Sequence, residues 1–284
     1  MPIRRRAVLF LPVLVAAAIA AAAVHAQPQS KSHSKPQSPP RRVLFIGNSY
    51  TYFNNLPEML RAMAASRGNT LDVAMATTGG WKLSDHWTNQ DSDAHRLLRD
   101  GKWDAVVLQE QSVLGSSKVV NNVQRVGSDD QFQRYAKLWQ EEIHRAGAMP
   151  VFYVTWARKG APEDQTVLDR AYTRAARDAS GMAVLVGRAW KGAREHHANI
   201  ELFIADGSHP SPAGTYLAAC TFFAALFDTS PVGLPATITG APIDPQTDRP
   251  IANKREALAT LSVTEAIALQ QEAFSAWQDG KRQR

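Results

Sequence analysis

The chain has 284 residues, with 32 Lys and Arg against 26 Asp and Glu, a formal net charge of +6 and one cysteine. A lone cysteine excludes an intrachain disulfide and a cysteine-rich metal site, and Cys220, in an apolar helical stretch, is expected to be a buried structural thiol. Three of the positive charges, Arg4, Arg5 and Arg6, open a segment without acidic residues; the rest carries a formal +3, and no basic stripe with interleaved aromatics points to nucleic acid.

In chain order, those arginines precede an almost purely apolar run from Ala7 to Val24, rich in small residues in its second half and followed by His25-Ala26. This pattern predicts a secretory signal, 1–26, cleaved after Ala26. The run is broken by Pro12 and barely long enough to span a bilayer, so a retained anchor is the weaker reading and no stable membrane insertion is expected after cleavage. Residues 27–40 are Gln, Ser, Lys, His and Pro, too polar to bury a core, and read as a flexible linker. Residues 41–284 are long enough for one sizeable core, and no repeat or second linker divides them.

Within that domain, Val43 to Ile46 is a short apolar run that predicts a buried first strand, ending abruptly at Gly47-Asn48-Ser49. Asn54 or Asn55 can cap a following helix with Pro57 in its first turn, an apolar stripe at Met59, Leu60 and Met63, and a stop at Gly68. Further strands are expected at Leu71 to Ala76, Ala105 to Leu108, Val151 to Thr155 and Ala183 to Val186. Helices are expected at Gln131 to Arg145, Asp164 to Ala179 and Pro212 to Phe227. Pro231 to Pro250 reads as loop, Ser262 to Trp277 as a last amphipathic helix, and Lys281, Arg282 and Arg284 as a solvated tail. Strands apolar on both faces and alternating with helices predict an α/β protein: a three-layer α/β/α sandwich around a parallel sheet, with ligands beyond the carboxyl ends of the strands.

Several polar motifs fall at those ends. Ser49, in a tight turn after a buried strand, presents its hydroxyl and backbone N–H to one space, but needs a base to become nucleophilic. Asp206-Gly-Ser-His209-Pro places a carboxylate and an imidazole three residues apart before an apolar helix, where the carboxylate can fix the ring's tautomer and stabilise the imidazolium. The plainer reading is a helix cap at Asp206 or Ser208 with a surface His209. Other histidines lie in the signal, the linker or charged helical stretches; His86, His95 and His209 remain as bases, and His209 has the best local partner. Gly79-Gly80 after a strand lets a backbone N–H approach a substrate oxygen, and Gln109, closing a strand, could donate an amide N–H to the same oxygen. With the N–H of Ser49 these form a candidate oxyanion hole. A metal hydrolase using Glu195, His196, His197, Asp206 and His209 is disfavoured, because adjacent histidines turn to different faces and no His-Glu-x-x-His occurs.

In order and surroundings these motifs resemble the SGNH/GDSL hydrolase superfamily over most of Val43 to Phe227. Phe45-Ile46-Gly47-Asn48-Ser49 looks like its nucleophile block, Gly80 falls where its glycine oxyanion donor lies, and Asp206-Gly-Ser-His209-Pro matches its Asp-x-x-His-Pro block. The family's Gly-x-Asn-Asp block is replaced by Leu108-Gln109-Glu110-Gln111, which leaves the side-chain oxyanion donor to Gln109, with Gln111 behind it. The resemblance implies a flavodoxin-like sheet and a serine esterase with Ser49, His209 and Asp206 as the catalytic triad, acting by two-step acyl transfer without metal or organic cofactor. The expected substrate is an acetyl or other small acyl ester of a carbohydrate or small molecule outside the cytoplasm, in the periplasm or secreted, with Trp81, His86 and Trp156 on the substrate side. Alternatives are a lipid or thioester acylhydrolase, and a non-catalytic glycan-binding module in which Trp81, Trp87 and Trp156 are sugar platforms.

Overall fold

The computed structural model describes residues 41–114, 117–120 and 123–282, without side chains for 117–126. The expected signal, 1–26, and linker, 27–40, lie outside the described residues, as does Arg284. In chain order the elements are β1 (Arg42–Gly47), α1 (Ser49–Tyr52), α2 (Leu56–Ser66), β2 (Asp72–Thr77), α3 (Leu83–Thr88), α4 (Ala94–Asp100), β3 (Ala105–Leu108), β4 (Ser117–Val120), β5 (Val123–Val126), α5 (Asp129–Arg145), β6 (Met149–Tyr153), α6 (Gln165–Asp178), β7 (Met182–Val184), α7 (Val186–His196), α8 (Pro212–Phe227), β8 (Thr237–Gly240), β9 (Ile243–Asp244), β10 (Arg249–Pro250), β11 (Glu256–Thr260) and α9 (Val263–Arg282).

Five of these strands form a parallel sheet in the order β2-β1-β3-β6-β7. The layering follows from alternation along each strand. Val43 and Phe45 of β1, Val107 of β3 and Tyr153 of β6 pack into one apolar cluster with α2, α7, α8 and α9. Leu44 and Ile46, Val106 and Leu108, and Phe152 pack into the other with α3, α4, α5 and α6. Both faces are thus covered, as the continuous apolar runs require. The chain starts near the middle, steps to β2, then crosses back over β1 to β3, so the connections leave in opposite directions at the β1/β3 boundary. In sheets of this order the carboxyl ends of those two strands flank a crevice, and they carry Gly47-Asn48-Ser49 and Gln109-Glu110-Gln111.

All five expected sheet strands are present, within two residues of their expected boundaries. The run Ala183 to Val186 divides: β7 stops at Val184, and Val186 opens helix α7, which the sequence reading did not anticipate. Its Ala189, Trp190 and Ala193 are buried while Lys191 and Glu195 are exposed, a helical period that the strand-like run Val184-Leu185-Val186 hid. The stretch expected as loop, Pro231 to Pro250, contributes β8, which pairs antiparallel with β11. The expected solvated tail is in part helix: α9 runs to Arg282, and Lys281 Nζ donates to Asp228 Oδ1 at 2.7 Å. Cys220 is fully buried in α8, and burial pushes its thiol pKa up, as a structural thiol requires. Among the described residues no helix is long and apolar enough to cross a membrane.

Helix α8 is apolar nearly all round and runs through the core. Its entry is tight at Gly214, where an added Cβ would lie 2.3 Å from the Leu202 carbonyl oxygen and 2.4 Å from the Trp190 ring. Gly214→Ala is therefore expected to destabilise the protein by about 1–3 kcal/mol despite alanine's better helix propensity, read as a lowered denaturant midpoint with an unchanged slope.

Candidate active site

The turn at the end of β1 is built around Asn48. Its Oδ1 accepts from the N–H of Tyr50 at 3.2 Å, which caps α1 and makes Ser49 the first helical residue. Gln109 on the neighbouring strand locks the same turn: its Oε1 accepts from the Asn48 N–H at 2.9 Å and the Thr51 hydroxyl at 3.0 Å. Its Nε2 donates to Asn48 Oδ1 at 2.9 Å and to the Glu110 carbonyl at 2.5 Å. Gly47 must be glycine here, because a Cβ would lie 2.5 Å from Gln109 Oε1. From the other side Asn48 Nδ2 donates to the Trp81 carbonyl at 2.8 Å, tying the Gly79-Gly80 loop to the serine turn. Gly80 has φ +73°, the left-handed backbone that glycine supplies at least cost.

Opposite Ser49 stands the loop from Asp206 to His209. Asp206 Oδ1 accepts from the backbone N–H groups of Ser208 and His209 at 2.8 and 2.9 Å, and Gly207, at φ +64°, closes the turn. His209 Nδ1 donates to Asp206 Oδ2 at 2.5 Å, which leaves Nε2 as acceptor, 2.9 Å from Ser49 Oγ. Serine, imidazole and carboxylate thus form one hydrogen-bonded line between the ends of β1 and the start of α8. Partial burial alone would raise the Asp206 pKa, but the His209 hydrogen bond, the two backbone N–H groups and the nearby imidazole outweigh it and hold the carboxyl below its ordinary value. The cap of α8 is neither Asp206 nor Ser208: Ser211 Oγ accepts from the Gly214 N–H at 3.1 Å, so the plainer reading of the Asp-Gly-Ser-His motif does not hold.

Aromatic rings hold this loop in place. The Tyr50 hydroxyl is 2.7 Å from Ser208 Oγ, and Trp156 Nε1 donates to the Ser208 carbonyl at 3.0 Å. Trp156 is itself stacked between Tyr50 and Trp190, with centroids at 4.5 and 3.8 Å. Phe53 lies flat on the His209 imidazole, centroids 4.4 Å apart and planes at 16°, while Tyr50 meets the same ring edge-on at 5.7 Å. The backbone between Phe53 and α2 is held left-handed at Asn54 and Asn55, both at φ 51°. Asn54 Nδ2 donates to the carbonyl of Pro210, next to His209, at 3.2 Å and to Thr215 Oγ1 at 2.8 Å, so the strained pair fastens Phe53 to the histidine loop.

Ser49, Asp206 and His209 come together as the sequence reading expected. Trp81 is half-buried beside the serine turn, its ring against His86. Two expected substrate contacts fall elsewhere. His86 is 1% exposed: its Nε2 donates to the Gly47 carbonyl at 2.7 Å, its Nδ1 accepts from Ser92 Oγ at 3.0 Å, and burial lowers its pKa. Trp156, also 1% exposed, is a wall beneath the histidine loop. His95 stacks on Trp139, and Trp87 packs edge-on against both. Gln109, fully buried, spends both N–H groups of its amide on Asn48 and Glu110 and has none to give a substrate oxygen. Gln111 accepts from the Val113 N–H through Oε1 and keeps its amide N–H groups in hand. Phe53, Asn54 and Tyr50 were missed; the aromatic spacing Tyr50, Tyr52, Phe53 directly after the serine was the available signal. Among the described residues no three His, Cys, Asp or Glu side chains gather as a metal site would need, and His196 and His197 both face Glu272 instead.

Comparison with solved structures places this architecture among hydrolases. A protein from Slackia heliotrinireducens assigned to the SGNH hydrolases superposes with a TM-score of 0.53, 28% identical, covering 65% of this chain and 97% of its own. A DUF4886 family protein from Bacteroides uniformis superposes with a TM-score of 0.58, 21% identical, covering 83% of this chain and 93% of its own, a likeness of fold. Neither protein-family models nor curated proteins give a match.

Glu110 lies just behind the site, 5% exposed, accepting from the N–H groups of Gln111 at 2.7 Å and Leu83 at 3.2 Å. Burial raises its carboxyl from 4.5 to about 7, against those two hydrogen bonds and the charge of Lys82, with Asp85 adding to the rise. A carboxyl that keeps its proton longer when folded makes folding take up a proton between those values. Stability therefore falls as pH rises through that window, by at most about 1.4 kcal/mol per pH unit. Glu110→Gln removes this contribution: between pH 5 and pH 8.5 the urea midpoint of the native protein is expected to fall relative to that of the variant, in which the buried His86, with its lowered pKa, leaves a slope of opposite sign.

Proposed function

We propose that this chain, a member of the SGNH/GDSL hydrolase superfamily by fold, is an exported serine esterase that removes an acetyl or other small acyl group from a carbohydrate or small-molecule ester. The observation that carries this reading is the unbroken line Ser49 Oγ, His209 Nε2 and Nδ1, Asp206 Oδ2. In the first step Ser49 Oγ attacks the ester carbonyl and its proton passes to His209 Nε2, while Asp206 balances the imidazolium. Collapse of the tetrahedral adduct breaks the bond to the alcohol oxygen, which takes that proton from His209. Water then attacks the acyl-serine, giving a proton to His209; the second adduct breaks its bond to Ser49 Oγ, which takes that proton back as the carboxylic acid leaves.

The oxyanion formed in both steps would be met by the backbone N–H groups of Ser49 and Gly80. Gln111, one position beyond that of the Asn in the family's Gly-x-Asn-Asp block, supplies the side-chain donor, and Gln109 serves to brace the turn. The basic, apolar run at 4–24 and the polar segment after it support export to the periplasm or beyond. A complete hydrogen-bonded line would be superfluous in a glycan-binding module, which remains the reading to be tested against.

The decisive measurement is labelling of the purified protein with a fluorophosphonate probe, mapped by peptide mass spectrometry. Modification at Ser49, abolished in Ser49→Ala and sharply reduced in His209→Ala, is expected; a folded protein that takes up no probe would leave the binding module standing. Gln111→Ala should cost about 10²–10³-fold in kcat on an acetyl ester with KM little changed. Phe53→Leu keeps bulk but removes the π-face from the imidazolium, worth about 0.5–2 kcal/mol, so kcat should fall roughly 2- to 30-fold while Phe53→Trp retains activity.

A further inference from the structure

Arg158 follows β6 and sits between two loops of the site. Its NH2 donates to Ser112 Oγ at 2.7 Å, and Ser112 directly follows Gln111. The next residue, Lys159, donates its backbone N–H to the carbonyl of Gly207, in the histidine loop, at 2.8 Å. Tyr50, next to Ser49, closes the circle: burial pushes its hydroxyl pKa up, and Ser208, Arg158 and Ser112 all act to pull it back. The guanidinium is therefore in the electrostatic neighbourhood of the ring that abuts His209.

Its charge is left without a counter-ion. The next cation in the chain is matched: Lys159 pairs with Glu201 at 2.5 Å. Among the described residues Arg158 pairs with no carboxylate, and its Nε is buried with no hydrogen-bond acceptor. A part-buried cation held by one hydroxyl pays for lost hydration without repayment from the fold, which is the state of a group waiting for an anion. Guanidinium, with its paired N–H groups, suits a carboxylate in two-point contact.

We propose that Arg158, steered by Ser112, forms an anion subsite beside Ser49, and that the ester hydrolysed carries a carboxylate on its acyl or its alcohol part. This rests on the serine-esterase reading and narrows it, since it favours half-esters of dicarboxylic acids or acyl esters of acidic sugars over neutral ones. The subsite also sets a polarity: an uncharged long acyl chain would have to lie against a bare cation.

The test is the ratio of kcat/KM for an acid over its neutral counterpart, in two arms. For the acyl side, 4-nitrophenyl hemisuccinate is compared with 4-nitrophenyl butyrate; for the alcohol side, an acetylated galacturonic acid is compared with its methyl ester. The protein is expected to prefer the acid in one arm, the arm telling which part bears the charge. In Arg158→Gln that ratio should fall at least about tenfold, with Arg158→Lys intermediate because it keeps the charge but loses the fork. No preference for the acid in either arm, with fluorophosphonate labelling of Ser49 intact, would overturn the subsite alone. An equal fall for acid and neutral esters in both variants would make Arg158 a merely structural brace. Absence of labelling and of all hydrolysis would instead bring down the esterase reading and the subsite with it.

Discussion

Four hydrogen bonds converge on Asn48: its N–H on Gln109 Oε1, its Oδ1 on Gln109 Nε2 and the Tyr50 N–H, and its Nδ2 on the Trp81 carbonyl. They join the ends of three sequence segments that otherwise meet only through the strands of the sheet. A serine nucleophile needs its hydroxyl, its own N–H and a second loop's N–H to keep a common focus to within fractions of an ångström. Loops at the edge of a sheet do not hold such tolerances alone. The buried amide of Asn48, its oxygen accepting twice and its nitrogen donating to Trp81, is 2% exposed and gives the turn a single low-energy arrangement, since any rotation would strand donors and acceptors away from water. Gly47 and Gln109 are consequences of that knot: one provides the room and the other the partner.

The opposite wall depends on the knot at one remove. Tyr50, whose N–H caps onto Asn48, stacks on Trp156, which stacks on Trp190 in the core. This column supports the Asp206–His209 loop from beneath through Ser208, while Phe53 and Asn54 press on it from the side. The loop itself is short of apolar side chains, so its placement comes from rings belonging to other segments. Asp206 and His209 remain partly open, with side chains 41% and 29% exposed. Coulomb energy between such exposed groups is screened, so the carboxylate's main contribution is to fix the ring's orientation and tautomer through a hydrogen bond.

Much of this was written plainly in the sequence. Strands apolar on both faces encode a covered parallel sheet, and a Ser at a strand end and an Asp-x-x-His before a helix are each local patterns, whose three side chains the fold then brings into one hydrogen-bonded line. What failed to show depends on direction and depth. Gln109 and Gln111 are of the same residue type two positions apart; only once β3 ends and the chain turns does one point into the knot and the other away. His86 and Trp156 look like binding residues until they are found sealed behind β1 and beneath the histidine loop. The pairing of β8 with β11 joins segments separated by a stretch broken by Pro242, Pro245 and Pro250, which no short window reveals.

The same distinction between depth and direction bears on what the site can bind. On the Gly79 side the rim is backbone and the half-buried Trp81; Tyr52 turns its hydroxyl to Asp248, whose carboxylate together with burial raises its pKa. On the far side stand Ser112 and Arg158. A long hydrocarbon chain gains from enclosure, at about 0.8 kcal/mol per buried methylene, and rims of guanidinium, carboxylate and peptide offer it little. A polar alcohol or a charged acyl group loses less water there and finds partners for what it keeps. Under the proposed esterase reading, the open hydrogen-bonded line and the polar rim thus point the same way, to a substrate whose binding energy comes from matched polar groups and whose apolar contribution is confined to an acyl group of few carbons.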